Sequence, residues 1–300
     1  MNPEADAIGS SIGLALGLKK LGKHVYVLNR DPLPDILNFL PRAGMVKEKI
    51  PSREFDVLCV VDCNSPERTG LKGLRAKNTV IIDHHIPSPG VTHHTFHSSQ
   101  LVSFIDEHAS ATGELVYKVL HSLKVPIDRE IAINLYTSIY SDTGGFRYSN
   151  TGPESLIIAS RLIEAGANPW KVTKEIYESM PLNRLRLLAL MLSTLEKNGP
   201  IASVVIQKSM YKKTKTSVQD TEDFVDFPRK VKDVEVAVLF REDRRNIFKI
   251  SLRSKGTVNV EKIARYFGGG GHHNAAGCRM EGSLAEVKRK MFNALSKAIR

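Results

Sequence analysis

Two short apolar runs in the first third of the chain each stop on side chains that can bind a metal. Residues 57–61 read Val-Leu-Cys-Val-Val and are followed by Asp62; residues 79–82 read Thr-Val-Ile-Ile and are followed by Asp83, His84 and His85. Apolar runs this short, without polar alternation, suit strands buried on both faces. Residues 24–28 form a third β-type run. Around these lie helical patterns at 7–20, 113–123, 131–140, 153–165, 170–179 and 183–196, the first closing on Leu21-Gly22 as a C-cap. Strand-like runs separated by helices predict an α/β domain with a mostly parallel sheet flanked by helices. In such sheets ligands collect at the carboxyl ends of the strands, where Asp62 and the Asp83-His84-His85 triplet fall.

Asn198-Gly199-Pro200 breaks the helical pattern and is the expected boundary between domains at 1–197 and 201–300. The second part carries β-type runs at 201–207, 234–241 and 247–253, a helix over 260–267, a run of four glycines from Gly268 to Gly271, and a closing amphipathic helix from 284. It reads as a smaller α+β domain, with a ligand cleft expected between the two. Three hundred residues suit two domains, and 42% hydrophobic with 25% charged residues excludes a disordered chain. No apolar run approaches the roughly 18 residues of a membrane span. The first ten residues show neither the basic nor the apolar region of a signal peptide. Three cysteines cannot build a disulfide framework, which leads to the expectation of a reduced, cytoplasmic protein. The net charge of +11 is uneven: residues 1–200 hold 22 Lys/Arg and 21 Asp/Glu, a net of +1, while residues 201–300 hold 21 and 11, a net of +10. An anionic partner is implied, and the second domain is where it binds.

Acids at element ends recur. Glu4 and Asp6 stand two apart in a polar opening segment, Asp62 and Asp83 follow the two strands, and Asp142 follows an apolar helix. Carboxylates mixed with imidazole suit Mn²⁺ or Mg²⁺ better than a thiolate-rich zinc site does. Two such ions can clamp the attacking and leaving oxygens of a phosphoester. Each residue also has a plain reading: an acid after a strand is often a turn former or helix cap, and a His pair is often surface or core. Cys63, next to Asp62, reads as a small hydrophobe rather than a nucleophile.

Taken together and in order, these motifs resemble the DHH phosphoesterase superfamily. The resemblance rests on Glu4-Ala5-Asp6, Val61-Asp62-Cys63, Asp83-His84-His85, Ser141-Asp142-Thr143-Gly144, and the segment from Gly268 to Gly277, which looks like the hallmark of a DHHA1 domain. It covers nearly the whole chain and is nearest to the compact bacterial NrnA-like group of oligoribonucleases (nanoRNases) and 3′-phosphoadenosine 5′-phosphate (pAp) phosphatases. The resemblance implies two Mn²⁺ ions, with Mg²⁺ as the alternative. Asp62 would bridge them; Asp6, His84 and Asp142 would complete one site, and Glu4, where the family usually has Asp, would serve the other. His85 would contact the scissile phosphate and Asp83 would orient a histidine. Arg253, Gly269, Gly270, Gly271 and His272 would bind the nucleotide, with His273 as a surface residue. Arg68, Ser110, Thr112 and Glu114 stand where relatives carry substrate-side or supporting residues, Thr112 being read foremost as a helix cap. Phe146 and Tyr148 are read as packing, and Lys212, Lys213, Lys215, Arg244 and Arg245 as solvated surface.

The family's first motif usually starts with a His two residues ahead of Asn2 and is led into by a strand. Neither lies within this sequence, and the expectation is of a sequence that starts late rather than an impaired protein. The implied partners are short RNA or nucleotides, without a membrane, and a homodimer is left open. The implied reaction releases 5′-mononucleotides from short RNA and AMP from pAp. The alternatives are a cyclic or linear dinucleotide phosphodiesterase and a nucleic-acid-binding protein with an impaired metal site.

Overall fold

The computed structural model describes residues 3–50, 53–64, 69–71, 73–85 and 100–299. It forms two compact units, Met1–Ser179 and Met180–Arg300.

In the first unit, β3 (Glu54–Val61), β4 (Arg75–Asp83) and β5 (Gln100–Ile105) form a parallel sheet in that order. Val61 pairs with Ile82, and Ile82 with Phe104. This register sets Asp62 beside the end of β4, where its N–H donates to Ile82 O at 2.9 Å. Asp62 therefore neighbours Asp83 and the two histidines although some twenty residues separate them. Two further strands, β1 (Val27–Leu28) and β2 (Val46–Lys47), pair in parallel as a separate ribbon. The expected run at 24–28 thus supplies only two strand residues. Its partner is equally short, because Val46 follows directly on a 3₁₀ turn entered through Arg42 in left-handed conformation.

Among the described residues, five α-helices complete this unit: α1 (Ala5–Lys20), α2 (Thr112–Ser122), α3 (Arg129–Asp142), α4 (Pro153–Glu164) and α5 (Pro169–Tyr177). Their apolar faces meet in one core that includes Leu115, Leu120, Ile131, Leu135, Ile139, Ile158 and Leu162. Asp128 caps α3 by accepting from Ile131 N at 3.0 Å and pairs with Lys20 at the end of α1. Glycines at 9, 13 and 17 put a file of small residues on α1, one turn apart. A Cβ at Gly9 would lie 2.5 Å from Asn134 O of α3, so only glycine permits this approach of the two backbones.

The second unit is a six-stranded sheet ordered β10-β11-β9-β8-β7-β6, from β6 (Glu196–Asn198), β7 (Ile201–Ile206), β8 (Val236–Arg244), β9 (Ile247–Ser254), β10 (Gly270–His272) and β11 (Ala275–Glu281). Only β7 and β8 run parallel. Alternate residues face opposite sides. Val236, Val238, Phe240, Phe248, Ile250, Leu252, Ala276 and Cys278 pack against α9 (Val260–Tyr266) and α10 (Leu284–Ala298). Val204, Ile206, Ala237 and Leu239 pack on the other side, with Leu187, Leu188 and Met191 of α6 (Leu182–Leu192) and with Phe224 and Val225. The remaining helices are α7 (Lys208–Thr214) and α8 (Asp226–Arg229). Ser283 and Glu286 form a reciprocal capping box at the start of α10.

The helix expected over 183–196 ends at Leu192. Thr194 Oγ1 accepts from Val205 N at 2.8 Å, and Glu196–Asn198 turn back as an edge strand on β7. Asn198-Gly199-Pro200 is therefore a hairpin turn inside the second unit. The division falls before α6, whose leucines belong to the second core. Among the described residues no helix is long and apolar enough to cross a membrane.

Because Gly9 meets backbone rather than a flexible side chain, Gly9→Ala is expected to destabilise the protein by about 1–3 kcal/mol. Gly44→Ala, where a Cβ meets nothing within 4 Å, should stay within about 0.5 kcal/mol. Urea denaturation of both variants checks this.

Candidate metal centre

At the carboxyl ends of β3 and β4, five side chains from four segments converge. Asp6 comes from the first turn of α1, Asp62 from the end of β3, His84 and His85 from the end of β4, and Asp142 from the last residue of α3. His84 Nε2 lies 3.6 Å from Asp6 Oδ2, 3.7 Å from Asp142 Oδ2 and 3.8 Å from Asp62 Oδ1. His84 Nδ1 lies 3.2 Å from Ala109 O, a bond in which Nδ1–H donates, and it turns Nε2 towards the carboxylates. His85 Nδ1 lies 2.7 Å from Asp83 Oδ1 and 3.7 Å from Asp62 Oδ1. Asp83 is fully buried and also accepts from His85 N, so it fixes both the backbone and the ring of the following histidine.

Asp6 is 3% exposed. It accepts from Thr112 N at 2.8 Å and Gly113 N at 3.2 Å, the first N–H groups of α2, and from Ser138 Oγ of α3. A helix N-terminus offers unpaired N–H groups and a partial positive charge, so a buried carboxyl is accommodated there. Asp62 adopts a left-handed backbone (φ 57°), which Asp tolerates better than most residues, and accepts from Thr112 Oγ1 at 2.9 Å. Asn150 Nδ2 donates to Asp142 O at 3.2 Å and to Ser110 O at 3.0 Å.

Crowding acids away from water raises their affinity for protons. Burial first, then the neighbouring Asp6, pushes Asp142 up to about 7. The same two causes hold Asp62 well above the usual carboxylate range, with Asp83 and Asp142 adding to them and the Thr112 hydrogen bond opposing. The hydrogen bond to Asp83 raises His85, against the effect of burial. Divalent cations would relieve this repulsion. Two ligand groups, Asp62 with His84 and His85, and Asp6 with His84 and Asp142, each have one donor atom per residue within 4.8 Å of the others. Oxygen and imidazole donors without thiolate suit a hard or borderline ion.

Glu4 sits at the N-cap position of α1 with an exposed side chain and is in neither ligand group, although its charge reaches Asp142. Arg68 lies outside the described residues. Thr112 is not the expected cap: Ala111 occupies the N-cap and the Thr112 hydroxyl goes to Asp62. Ser138 and Asn150 were not singled out in the sequence, since nothing in their neighbourhood marks a residue whose partner lies far along the chain. Phe146 packs edge-on against Tyr136 and Tyr140, whereas Tyr148 is largely exposed, with its ring over Gly144. Burial raises the thiol of Cys59 to about 11, as befits an inert side chain.

In the second unit, Arg253 of β9 pairs with Ala275 of β11, and Ala275 with His272 of β10, so the three form one row across the sheet. The glycine run opens this β10–β11 hairpin, and His272 leads into a tight turn. A Cβ at Gly269 would lie 2.1 Å from Gly277 O, and one at Gly271 2.4 Å from Ala275 O, so the fold itself needs both glycines. At Gly270 a Cβ would meet nothing within 4 Å. Arg253 Nε stands 4.0 Å from Asp226 Oδ1, which Arg229 also approaches at 3.0 Å. His273 is tied down through Nε2, 3.0 Å from Gly256 O.

Residues 1–139 match the DHH family N-terminal domain and residues 199–300 the DHHA1 domain. The bifunctional oligoribonuclease and PAP phosphatase NrnA of Thermus thermophilus is 33% identical over 302 residues, spanning 98% of this chain and 87% of that protein. The chain belongs to the DHH phosphoesterase family. A probable NrnA from Streptococcus mutans is 29% identical over 95% of this chain and 89% of its own length. The crystal structure of an exopolyphosphatase-related protein from Bacteroides fragilis superposes with a TM-score of 0.85 at 28% identity, covering 99% of this chain and 89% of that one.

In this DHH centre Asp62 and Asp142 hold their protons more tightly than ordinary carboxyls when no cation is bound. A carboxyl raised on folding contributes stability below its unfolded value, and that contribution is lost as pH rises through its folded value. The raised His85 acts in the same direction. The metal-free protein is therefore expected to melt at a higher temperature at pH 5.5 than at pH 8. A divalent cation should raise the melting temperature more at pH 8, where fewer protons must be displaced. Thermal melts with chelator and with Mn²⁺ at the two pH values check both signs.

Proposed function

We propose that this protein is a divalent-metal-dependent phosphoesterase that cleaves short oligoribonucleotides to 5′-mononucleotides and removes the 3′-phosphate of pAp, with Mn²⁺ as its metal. The observation that carries the reading is the convergence of Asp6, Asp62 and Asp142 on His84, whose Nε2 lies 3.6–3.8 Å from a carboxylate oxygen of each, in a chain whose NrnA relatives bear both activities in their names.

A neutral imidazole nitrogen has one lone pair and serves one ion, whereas a carboxylate oxygen can serve two. His84 would therefore hold one ion with Asp6 and Asp142, and Asp62 would serve both that ion and a second, for which Glu4 is the further carboxylate. Bound there, the ions would make water acidic enough to attack phosphorus at neutral pH and would neutralise phosphoryl charge. The protein's own groups do the rest. Asp83 holds Nδ1 of His85 and favours its charged form, so Nε2–H donates to a phosphoryl oxygen or to the departing alkoxide. Ala109 O fixes the tautomer of His84, and Thr112 Oγ1 restrains Asp62. In the DHHA1 domain, Arg253 suits the substrate's other phosphate as a bidentate donor, and His272 its base or ribose. Gly270 leaves space above the sheet that no protein atom uses, so a nucleotide can approach the backbone closely.

Parallel assays with Mn²⁺ on pAp, pApA, a pentaribonucleotide and cyclic di-AMP should show turnover of the first three, with Asp62→Ala inactive but folded. His85→Ala should lower kcat on the order of 10²-fold. Gly270→Val should raise KM while leaving the melting temperature unchanged. Cyclic di-AMP as the preferred substrate would sink the reading. So would RNA binding without metal-dependent hydrolysis, unaltered in Asp62→Ala.

A further inference from the structure

Among the described residues, the β9–β11–β10 half of the second unit's sheet is covered on one face only. Phe248, Ile250 and Leu252 of β9, and Ala276, Cys278 and Met280 of β11, are buried in the core under α9 and α10. The residues between them point the other way and none is buried: Lys249, Ser251 and Arg253 on β9, Ala275, Gly277 and Arg279 on β11, Gly270 and His272 on β10. The same face is covered in the other half, where Ala237 and Leu239 lie beneath the α6 core. The register orders the open strip into rows: Arg253, Ala275, His272; then Ser251, Gly277, Gly270; then Lys249 and Arg279. Four residues separate the first row from the last, about 14 Å at strand rise, and three strands give a width of roughly 10 Å.

The strip is flat and its charge is at its ends. No side chain in the middle row is longer than that of serine, while cations stand in the rows on either side of it. Arg279 pairs with Asp243, but both are exposed, and such a pair costs little to exchange for another anion. The next residue of the β11 file on this face is Glu281, paired with Ile247, so the basic strip stops there on a negative charge. A shallow floor open to ribose and base, with cations a short distance apart and an acidic stop, fits a short single strand of RNA.

We infer that this strip is the binding path for the part of an oligoribonucleotide beyond the nucleotide held by Arg253 and His272, with Lys249 and Arg279 contacting its further phosphates. This rests on the reading of Arg253 and His272 as the nucleotide-binding end. It makes Lys249 and Arg279 the residues that distinguish an RNA of several nucleotides from pAp, which is too short to reach them.

The test is the double variant Lys249→Gln, Arg279→Gln, assayed with Mn²⁺ on a pentaribonucleotide and on pAp. KM for the pentamer should rise about tenfold, the equivalent of roughly 1.4 kcal/mol. The salt dependence of pentamer binding should flatten by roughly 1.4 in log–log slope for two lost single-strand phosphate contacts. KM and kcat for pAp, and the melting temperature, should not change. An unchanged pentamer KM, or an equal rise for pAp, overturns the inference while leaving the proposed phosphoesterase standing. Should the wild type hydrolyse neither substrate, the proposed activity fails, and fluorescence anisotropy with a labelled pentaribonucleotide decides the strip separately: tenfold weaker binding by the double variant supports it and equal affinity overturns it. A pentaglutamate peptide that competes as well as RNA would assign the strip to acidic peptides and also overturn the inference.

Discussion

The carboxyl group of Asp6 accepts the N–H groups of Thr112 and Gly113 and the hydroxyl of Ser138, and through these bonds α1, α2 and α3 are pinned at one point. Each partner depends on close packing. Gly113 has no room for a Cβ beside Ser138 Oγ, and Gly9, one turn along from Asp6, has none beside the backbone of α3. The segment at the N-terminus of α2 serves the other ligands as well. Ala109 O holds His84, Thr112 Oγ1 holds Asp62, and Ser110 O shares the Asn150 amide with the backbone of Asp142. Glu114, one turn into α2, accepts from both the N–H and the hydroxyl of Ser110 and is buried, so the segment is fixed from its helical side as well.

This arrangement sets two physical demands against each other. Ligands must be held at a spacing that fits cations, and at that spacing buried carboxylates repel. The raised proton affinities of Asp62 and Asp142 record the conflict. What offsets it is the apolar core directly behind, where Leu115, Leu135 and Ile139 of the same helices are fully buried. The helices that supply the ligands also supply the packing, so the site's strain is borne by the most tightly buried part of the domain.

Much of this was legible in the sequence wherever a local pattern carries the information. Periodicity placed α2, α3, β3 and β4 within a few residues, and short apolar runs ending in acids marked the strand ends where Asp62, Asp83, His84 and His85 lie. The failures have one physical root, contacts that no local pattern carries. Thr112 follows a loop and opens a helix, so locally it reads as a cap; its hydroxyl is claimed by Asp62, fifty residues earlier. Residues 193–196 close the expected helical pattern, yet β7 offers Glu196–Asn198 an edge, and sheet pairing overrides local helix propensity. The two adjacent histidines of the glycine-rich segment are told apart in the sequence by the family resemblance alone, which favours His272. Only the hairpin's fold decides that His273 bonds Gly256 O while His272 stands in the row with Arg253. The covered and uncovered halves of one sheet face cannot be told apart by alternation, because both alternate.

The charge imbalance gains a physical meaning from the folds of the two units. Acids and bases nearly cancel in the first 200 residues, but several of the acids are withdrawn into one buried cluster, which is where cations would be drawn. In the last hundred residues the excess of bases has a direction. The apolar face under α9 and α10 excludes them, and strand alternation therefore places Lys249, Arg253 and Arg279 together on the open face. Burying one side of a two-faced sheet sorts charge onto the other without any long-range design. Small residues at Ser251, Gly270, Ala275 and Gly277 then keep that charged face flat enough for a polymer to lie on it.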